Sequence, residues 1–221
     1  MTFKEFASEA KRTLPNLSTS YVVVDGVERP VHTINLIHTR LGIVSELSEV
    51  ISALRSQPFD KVNLAEELCD ILWYAANDIM LMSKRNEAII DLHNFVFGEG
   101  LQATDGGVIE EGAFRSYWFN PLYYNASELT DTIKKEFAYG KVMNNIEYTV
   151  QMRYLLGAIN NMAKEKEINL GEAMERLINK LRVRYPEKFT EESAINRNLE
   201  KERDALEGKA SPSDDLLEIR V

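Results

Sequence analysis

Two acidic pairs carry the chemistry that this sequence offers. Glu46 and Glu49 stand three apart within Leu41-Gly42-Ile43-Val44-Ser45-Glu46-Leu47-Ser48-Glu49-Val50-Ile51, and Glu67 and Asp70 stand three apart within Glu66-Glu67-Leu68-Cys69-Asp70-Ile71-Leu72-Trp73-Tyr74. Three residues make about one helical turn, so each pair projects from one face of a helix. The neighbours are apolar: Ile43, Val44, Leu47 and Val50 around the first pair, Leu68, Ile71, Leu72 and Trp73 around the second. Unpaired carboxylates beside such packing faces are costly and tend to protonate. A divalent cation removes that cost, and hard oxygen donors with no His or Cys among them suit Mg²⁺ or Mn²⁺ rather than Zn²⁺. A single pair of this kind is ordinary helix-edge chemistry. Two pairs on successive helices point to one shared site.

The elements that must position these residues are helical. From about Asn35 the apolar positions Leu36, Ile37, Leu41, Val44, Leu47, Val50, Ile51 and Leu54 follow helical spacing, and Pro58 closes the helix. Asn63 is the expected cap of the next helix, whose apolar positions Leu64, Leu68, Ile71, Leu72, Ala75, Ile79 and Met82 run to about Ser83. A short amphipathic helix precedes them over residues 2 to 13, stopped by Pro15, and Tyr21 to Pro30 reads as a small hairpin or an extended loop. Residues 84–125 form an irregular insertion in this reading, because Gly98, Gly100, Gly106, Gly107 and Gly112 cluster there. The aromatics Phe114, Tyr117, Trp118, Phe119, Tyr123 and Tyr124 behind them pack on the helices or form a stacking wall for a base. Helical patterning resumes at about Ala126 to Tyr139, Ile146 to Lys164 and Leu170 to Val183. The expected organisation is a single all-α domain over residues 1–190 with a charged tail over 191–221. That tail begins as an exposed helix and ends disordered or draped over a partner.

The first acidic helix has an echo. Ser45-Glu46-Leu47-Ser48-Glu49-Val50-Ile51 returns in outline as Ser127-Glu128-Leu129-Thr130-Asp131-Thr132-Ile133, and the spacing of Glu67 and Tyr74 returns in Glu147 and Tyr154. Read as a duplication, residues 35–83 and 126–186 are two copies of one helical unit, each burying its apolar face against the other. Chance likeness between short amphipathic helices is the alternative. The second copy has Val150 where the first has Asp70, and a hard-cation site that loses a carboxylate is weakened, so the second pair Glu128 and Asp131 is expected to be a pseudo-site.

These residues carry a resemblance. The run Gly42 to Glu49 together with Glu67 to Tyr74 resembles the E-x-x-E, spacer, E-x-x-D signature of the all-α nucleoside triphosphate pyrophosphohydrolases, the superfamily of MazG-like proteins and dimeric dUTP- and dCTP-hydrolysing enzymes. Asn179-Lys180-Leu181-Arg182-Val183-Arg184-Tyr185-Pro186 is similar to the basic end of that family's last helix. Some members carry an additional Glu where this chain has Ser45, which leaves the number of metals open at one to three. The resemblance implies a MazG-like bundle that hydrolyses a nucleoside triphosphate to the monophosphate and pyrophosphate, with a homodimer as the expected assembly. Glu46, Glu49, Glu67 and Asp70 would be the ligands of Mg²⁺, Glu49 would also serve as base toward the attacking water, and Lys180 and Arg184 would meet the phosphates, a solvated helix end whose cations favour the helix dipole being the equal alternative for these two. Asn77, one turn beyond Trp73, would read base or sugar, the alternative being that it only caps a buried polar position.

Composition is compatible with this reading. A chain of 221 residues with a formal net charge of −9 argues against duplex nucleic acid or an anionic membrane as partner, while a small anionic substrate needs only a local basic cluster. The single cysteine, Cys69, excludes a disulfide framework and fits a reducing cytoplasm, the expected location. No apolar stretch approaches the ~20 residues of a membrane span. Two rivals come from other classes. A carboxylate-bridged di-iron bundle requires Glu-x-x-His pairs, and His32, His38 and His93 stand at no such spacing. A non-catalytic helical interaction module would tolerate loss of Glu46 and Asp70. His38, two turns before Glu46, reads as a structural histidine.

Overall fold

The computed structural model describes residues 1–14, 21–24, 26–85 and 118–209. Within them the chain is an all-α bundle with one small hairpin. Helix α1 (Phe3–Arg12) opens with a capping box, in which the Thr2 hydroxyl accepts from the Glu5 N–H while the Glu5 carboxylate accepts from the Thr2 N–H. Strands β1 (Tyr21–Val24) and β2 (Val27–Pro30) pair antiparallel, with Gly26 in the left-handed region that this tight turn demands. The long helices α2 (Val31–Arg55) and α3 (Lys61–Arg85) form a first helical hairpin. Helices α4 (Phe119–Tyr139) and α5 (Asn145–Glu165) form a second. Gly140 ends α4 with a φ of 68°, and the Asn144 side chain caps α5. Helix α6 (Leu170–Arg184) follows, then the short α7 (Glu191–Ile195) and α8 (Leu199–Glu207). Among the described residues no helix is long and apolar enough to cross a membrane.

Helix α2 packs against both α3 and α4, α4 packs against α5, and α6 lies across α3 with α1 and α8 beside it. The core is one continuous cluster running from Phe6 and Leu36 through Leu68 and Leu72 to Leu129, Leu155 and Leu177. The buried stripe of α2 is Leu36, Arg40, Ile43, Leu47, Val50 and Leu54, so the helical period passes through Arg40 and leaves Leu41 exposed, contrary to its expected core position. Arg40 donates from Nε to Asp78 Oδ2 at 2.9 Å and from Nη1 to the Leu129 carbonyl at 3.1 Å and Thr132 Oγ1 at 3.2 Å. Asp78 also accepts from Thr39 Oγ1 and from Tyr148 Oη, each at 2.8 Å. This network, buried at Thr39, Arg40, Asp78 and Tyr148, draws groups from all four long helices.

Several boundaries differ from expectation for identifiable reasons. Asn63 is not the cap of α3. Asp60 takes that role, accepting the Asn63 N–H at 3.0 Å, and the helix begins at Lys61. The stretch 119–125, expected as irregular, is the start of α4, where Pro121 is tolerated because first-turn N–H groups have no helical partner. The rest of the expected insertion, residues 86–117, lies outside the described residues. The tail begins with the exposed short helix α7, as expected, but α8 after it is not exposed: it buries Glu202, Ala205 and Leu206 against α6, and residues 210–221 lie outside the described residues.

Candidate metal centre

The two hairpin helices α2 and α3 bring their acidic faces together under α6. Carboxylate oxygens of Glu46, Glu67 and Asp70 all lie within 4.8 Å of one another, the set among the described residues placed to hold a metal ion. Glu49 lies on the same α2 face, exposed, and lines the same cleft, so the second helix contributes the floor and the first contributes one floor residue and one rim residue. The cleft measures about 340 Å³ and is lined further by Glu66, His38, Trp73, Tyr74, Lys180 and Arg184.

Crowded carboxylates out of water set the electrostatics. Burial, then Asp70 and Glu66, push the Glu67 carboxyl up to about 9. Burial, then Asp70 and Glu49, push Glu46 up to about 7. Tyr74 is raised to about 12, by burial first and by Glu46 second. A divalent cation reverses this strain, since it supplies the charge that three converging hard donors lack, and the donor set contains no soft ligand. The residues present therefore fit Mg²⁺ or Mn²⁺.

The opposite wall is cationic. Lys180 is buried and donates from Nζ to Glu66 Oε1 at 2.7 Å and to Asp70 Oδ2 at 3.2 Å. Burial works against its charge, but Asp70 and Glu66 outweigh it and hold the ammonium above its ordinary range. Lys180 thus ties α6 to α3 as well as facing the cleft. Arg184 donates from Nε to Glu202 Oε1 at 3.0 Å and from Nη2 to Oε2, so its guanidinium is fixed by α8. Asn77 does not reach the site. It lies on the same face of α3 as Asp70, two turns further on, where it is fully buried and does not line the cleft, and its Nδ2 donates to the Trp73 carbonyl one turn back at 2.9 Å.

The aromatics of the expected insertion, read as packing on the helices or forming a stacking wall, do not line the cleft where they are described, and Phe114 and Tyr117 lie outside the described residues. Phe119 is buried in the core and Tyr123 and Tyr124 are exposed on α4, while the rings in the cleft are Trp73, Tyr74, Tyr185 and Phe189. Trp73 is oriented by its Nε1–H, which donates to Thr13 Oγ1 at 3.0 Å. His38 joins them: it lines the cleft edge-on to Tyr74 with ring centroids 5.7 Å apart, and burial lowers its pKa, which favours the neutral imidazole. Gly42 explains the seat of Tyr74, since a Cβ there would stand 2.2 Å from Tyr74 Cε1. The signal that was available is the one-turn spacing from His38 to Gly42 to Glu46, which puts all three on the α2 face that carries the carboxylates.

The second hairpin holds a cleft of its own, about 290 Å³, lined by Glu128, Asp131 and Glu147 with Lys135 and Lys141 among them. Asp131 is paired with both Lys134 and Lys135, whose hydrogen bonds hold it down to about 2. Asp131 is thus held by lysines, and among the described residues these acids do not converge as the first set does. On the helix face that matches Glu66, Asp70 and Tyr74 stand Ile146, Val150 and Tyr154, which are exposed. Comparison of the chain with protein-family models, curated proteins and solved structures finds no match.

Proposed function

We propose that the chain is a divalent-metal-dependent nucleotide pyrophosphohydrolase, converting a nucleoside triphosphate to the monophosphate and pyrophosphate. The observation that carries the reading is the convergence of Glu46, Glu67 and Asp70 within 4.8 Å in a cleft whose other wall bears Lys180, Arg184 and Arg197. Glu46, Glu67 and Asp70, joined by Glu49, would hold Mg²⁺, which when bound neutralises phosphate oxygens and lowers the barrier to attack at phosphorus. The chain's own groups do the remainder. Glu49, exposed at the rim, accepts through a carboxylate oxygen the proton of a water approaching the α-phosphorus in line. The cationic wall meets the departing phosphates, and the rings of Trp73, Tyr74, Tyr185 and Phe189 offer apolar surface to a base and narrow the access of water.

The test is a panel of canonical and modified ribo- and deoxyribonucleoside triphosphates with Mg²⁺, reading monophosphate and pyrophosphate separately. Turnover that EDTA abolishes and that Asp70→Ala removes in a folded protein supports the reading. Release of orthophosphate alone, or full turnover by Asp70→Ala, overturns it.

A further inference from the structure

Two guanidinium groups meet on one carboxylate at the mouth of the acidic cleft. Arg184 reaches Glu202 from the last turn of α6, and Arg197, in the link between α7 and α8, donates to Glu202 from Nη2 at 2.7 Å and from Nε at 3.4 Å. Glu202 is buried at 2% exposure on α8, where burial favours its neutral form, but hydrogen bonds from Arg184 and Arg197 prevail and bring it down to about 2. The carboxylate is therefore ionised, and the trio keeps one positive charge facing a cleft that both arginines line. Lys180, on the same wall, is committed to Glu66 and Asp70 and its side chain is 5% exposed. The Arg184 side chain is 14% exposed and that of Arg197 is 41% exposed. Arg197 is thus the cation of this wall that a ligand reaches without breaking the packing. A guanidinium has five N–H donors in a rigid fork, and Glu202 engages two N–H-bearing nitrogens of Arg197 while fixing the plane of the fork.

We propose that Arg197 is a substrate-recognition residue that binds the distal phosphates of a polyphosphate chain and so selects nucleoside triphosphates over shorter nucleotides. The assignment rests on the pyrophosphohydrolase reading and adds to it a residue outside the two acidic motifs and the basic end of α6. Geometry supports it in three ways. The fork is held in one plane by a buried acid, the arginine lines the same cleft as the carboxylates, and planar paired N–H groups match phosphate oxygens. The interaction also gives α8 a purpose beyond covering α6, because the carboxylate that aims the arginine comes from that helix.

Inorganic tripolyphosphate is the probe, titrated calorimetrically into the full-length protein with Mg²⁺, for wild type, Arg197→Ala, Arg197→Lys and Arg203→Ala. Arg203 is a matched control: it lies on α8, its side chain is 40% exposed, it is paired with Asp60 and Glu207, and it does not line the cleft. Arg197→Ala is expected to weaken tripolyphosphate about tenfold or more, Arg197→Lys about threefold because the charge remains and the fork is lost, and Arg203→Ala less than twofold. In turnover of a triphosphate the KM of the Arg197 variants rises in the same order. Wild-type affinity in Arg197→Lys and Arg197→Ala, or an equal loss in Arg203→Ala, overturns the proposal. If Arg197→Ala does not fold, an unchanged affinity in Arg197→Lys overturns it alone. Arg197-dependent binding of tripolyphosphate without hydrolysis of any nucleotide sinks the pyrophosphohydrolase reading and leaves this one standing. Hydrolysis unaffected by the Arg197 variants does the reverse.

Discussion

Replacing Glu67 by Gln is expected to make the metal-free protein more stable while removing its affinity for metal. Glu67 is 6% exposed, and burial with the neighbouring carboxylates lifts it from 4.5 to about 9. An acid whose folded-state pKa exceeds its unfolded value destabilises the fold once pH passes the unfolded value. The penalty grows with pH and levels off above the folded value. At pH 7 the group stays protonated in the fold, at ~1.4 kcal/mol for each unit between 4.5 and 7, or about 3 kcal/mol. The cleft is open to water and the carboxylates share their repulsion, so about half of that, ~1.5 kcal/mol, is the working figure. Gln keeps the shape and does not titrate. For a chain of this size the gain is about 3–6 °C in Tm. The assay is thermal unfolding of both proteins in EDTA from pH 5 to 9, repeated with Mg²⁺. The gap in favour of Glu67→Gln should widen as pH rises, and Mg²⁺ should raise the Tm of the wild type and not of the variant. A variant that melts at or below the wild type in EDTA, or a gap that closes with rising pH, refutes the claim that the carboxylates are held together against their own charge.

Three further outcomes follow from other parts of the structure. Gly42→Ala gains about 1 kcal/mol of helix propensity but places a Cβ 2.2 Å from the Tyr74 ring, so the ring must leave its seat. Near-unchanged melting with a raised KM for nucleotide is expected, and a KM equal to wild type would show that Tyr74 does not shape the cleft. Asp78→Ala strands the buried Arg40 guanidinium and should cost about 3–5 kcal/mol in urea unfolding, whereas Arg40→Met with Asp78→Leu should recover most of it. Glu128→Gln with Asp131→Asn should leave most turnover and Glu46→Gln with Glu49→Gln almost none; equal losses would mean that the second cleft completes the first.

Much of the architecture was legible because apolar periodicity records burial directly. The long helices and the pairing of acidic faces on α2 and α3 follow from it, and α5 and α6 begin and end within a residue or so of the expected bounds. The misses have a common origin in polar groups that the fold buries. Arg40 occupies a core position of α2, and a pattern search that counts only apolar residues assigns that position to Leu41. Asp78, also in the core stripe of its helix, is the matching signal of opposite sign, and two buried opposite charges on adjacent helices are worth testing as a pair. Asn77 shares the face of Asp70, as its spacing suggests, but two turns further along α3 that face is covered, so the side chain is buried in the core. Arg184 sits where the basic motif suggested, yet what fixes it is Glu202, and a polar tail gives no advance notice that one of its acids will be buried. Arg197 lies beyond any motif and became visible only through that acid.

The buried network around Arg40 also bears on where the chain can be cut. Arg40, Thr39 and Asp78 belong to the first hairpin, and the Leu129 carbonyl, Thr132 and Tyr148 belong to the second. Severed between residues 85 and 118, each half would carry unfulfilled hydrogen-bonding groups on the surface that once faced the other, and each set is the complement of the other. Two such fragments made as separate polypeptides have a built-in address for reassembly. With the carboxylate cluster on one fragment and α6 with its lysine on the other, activity would reappear only on reunion, which makes this scaffold a natural candidate for a split reporter.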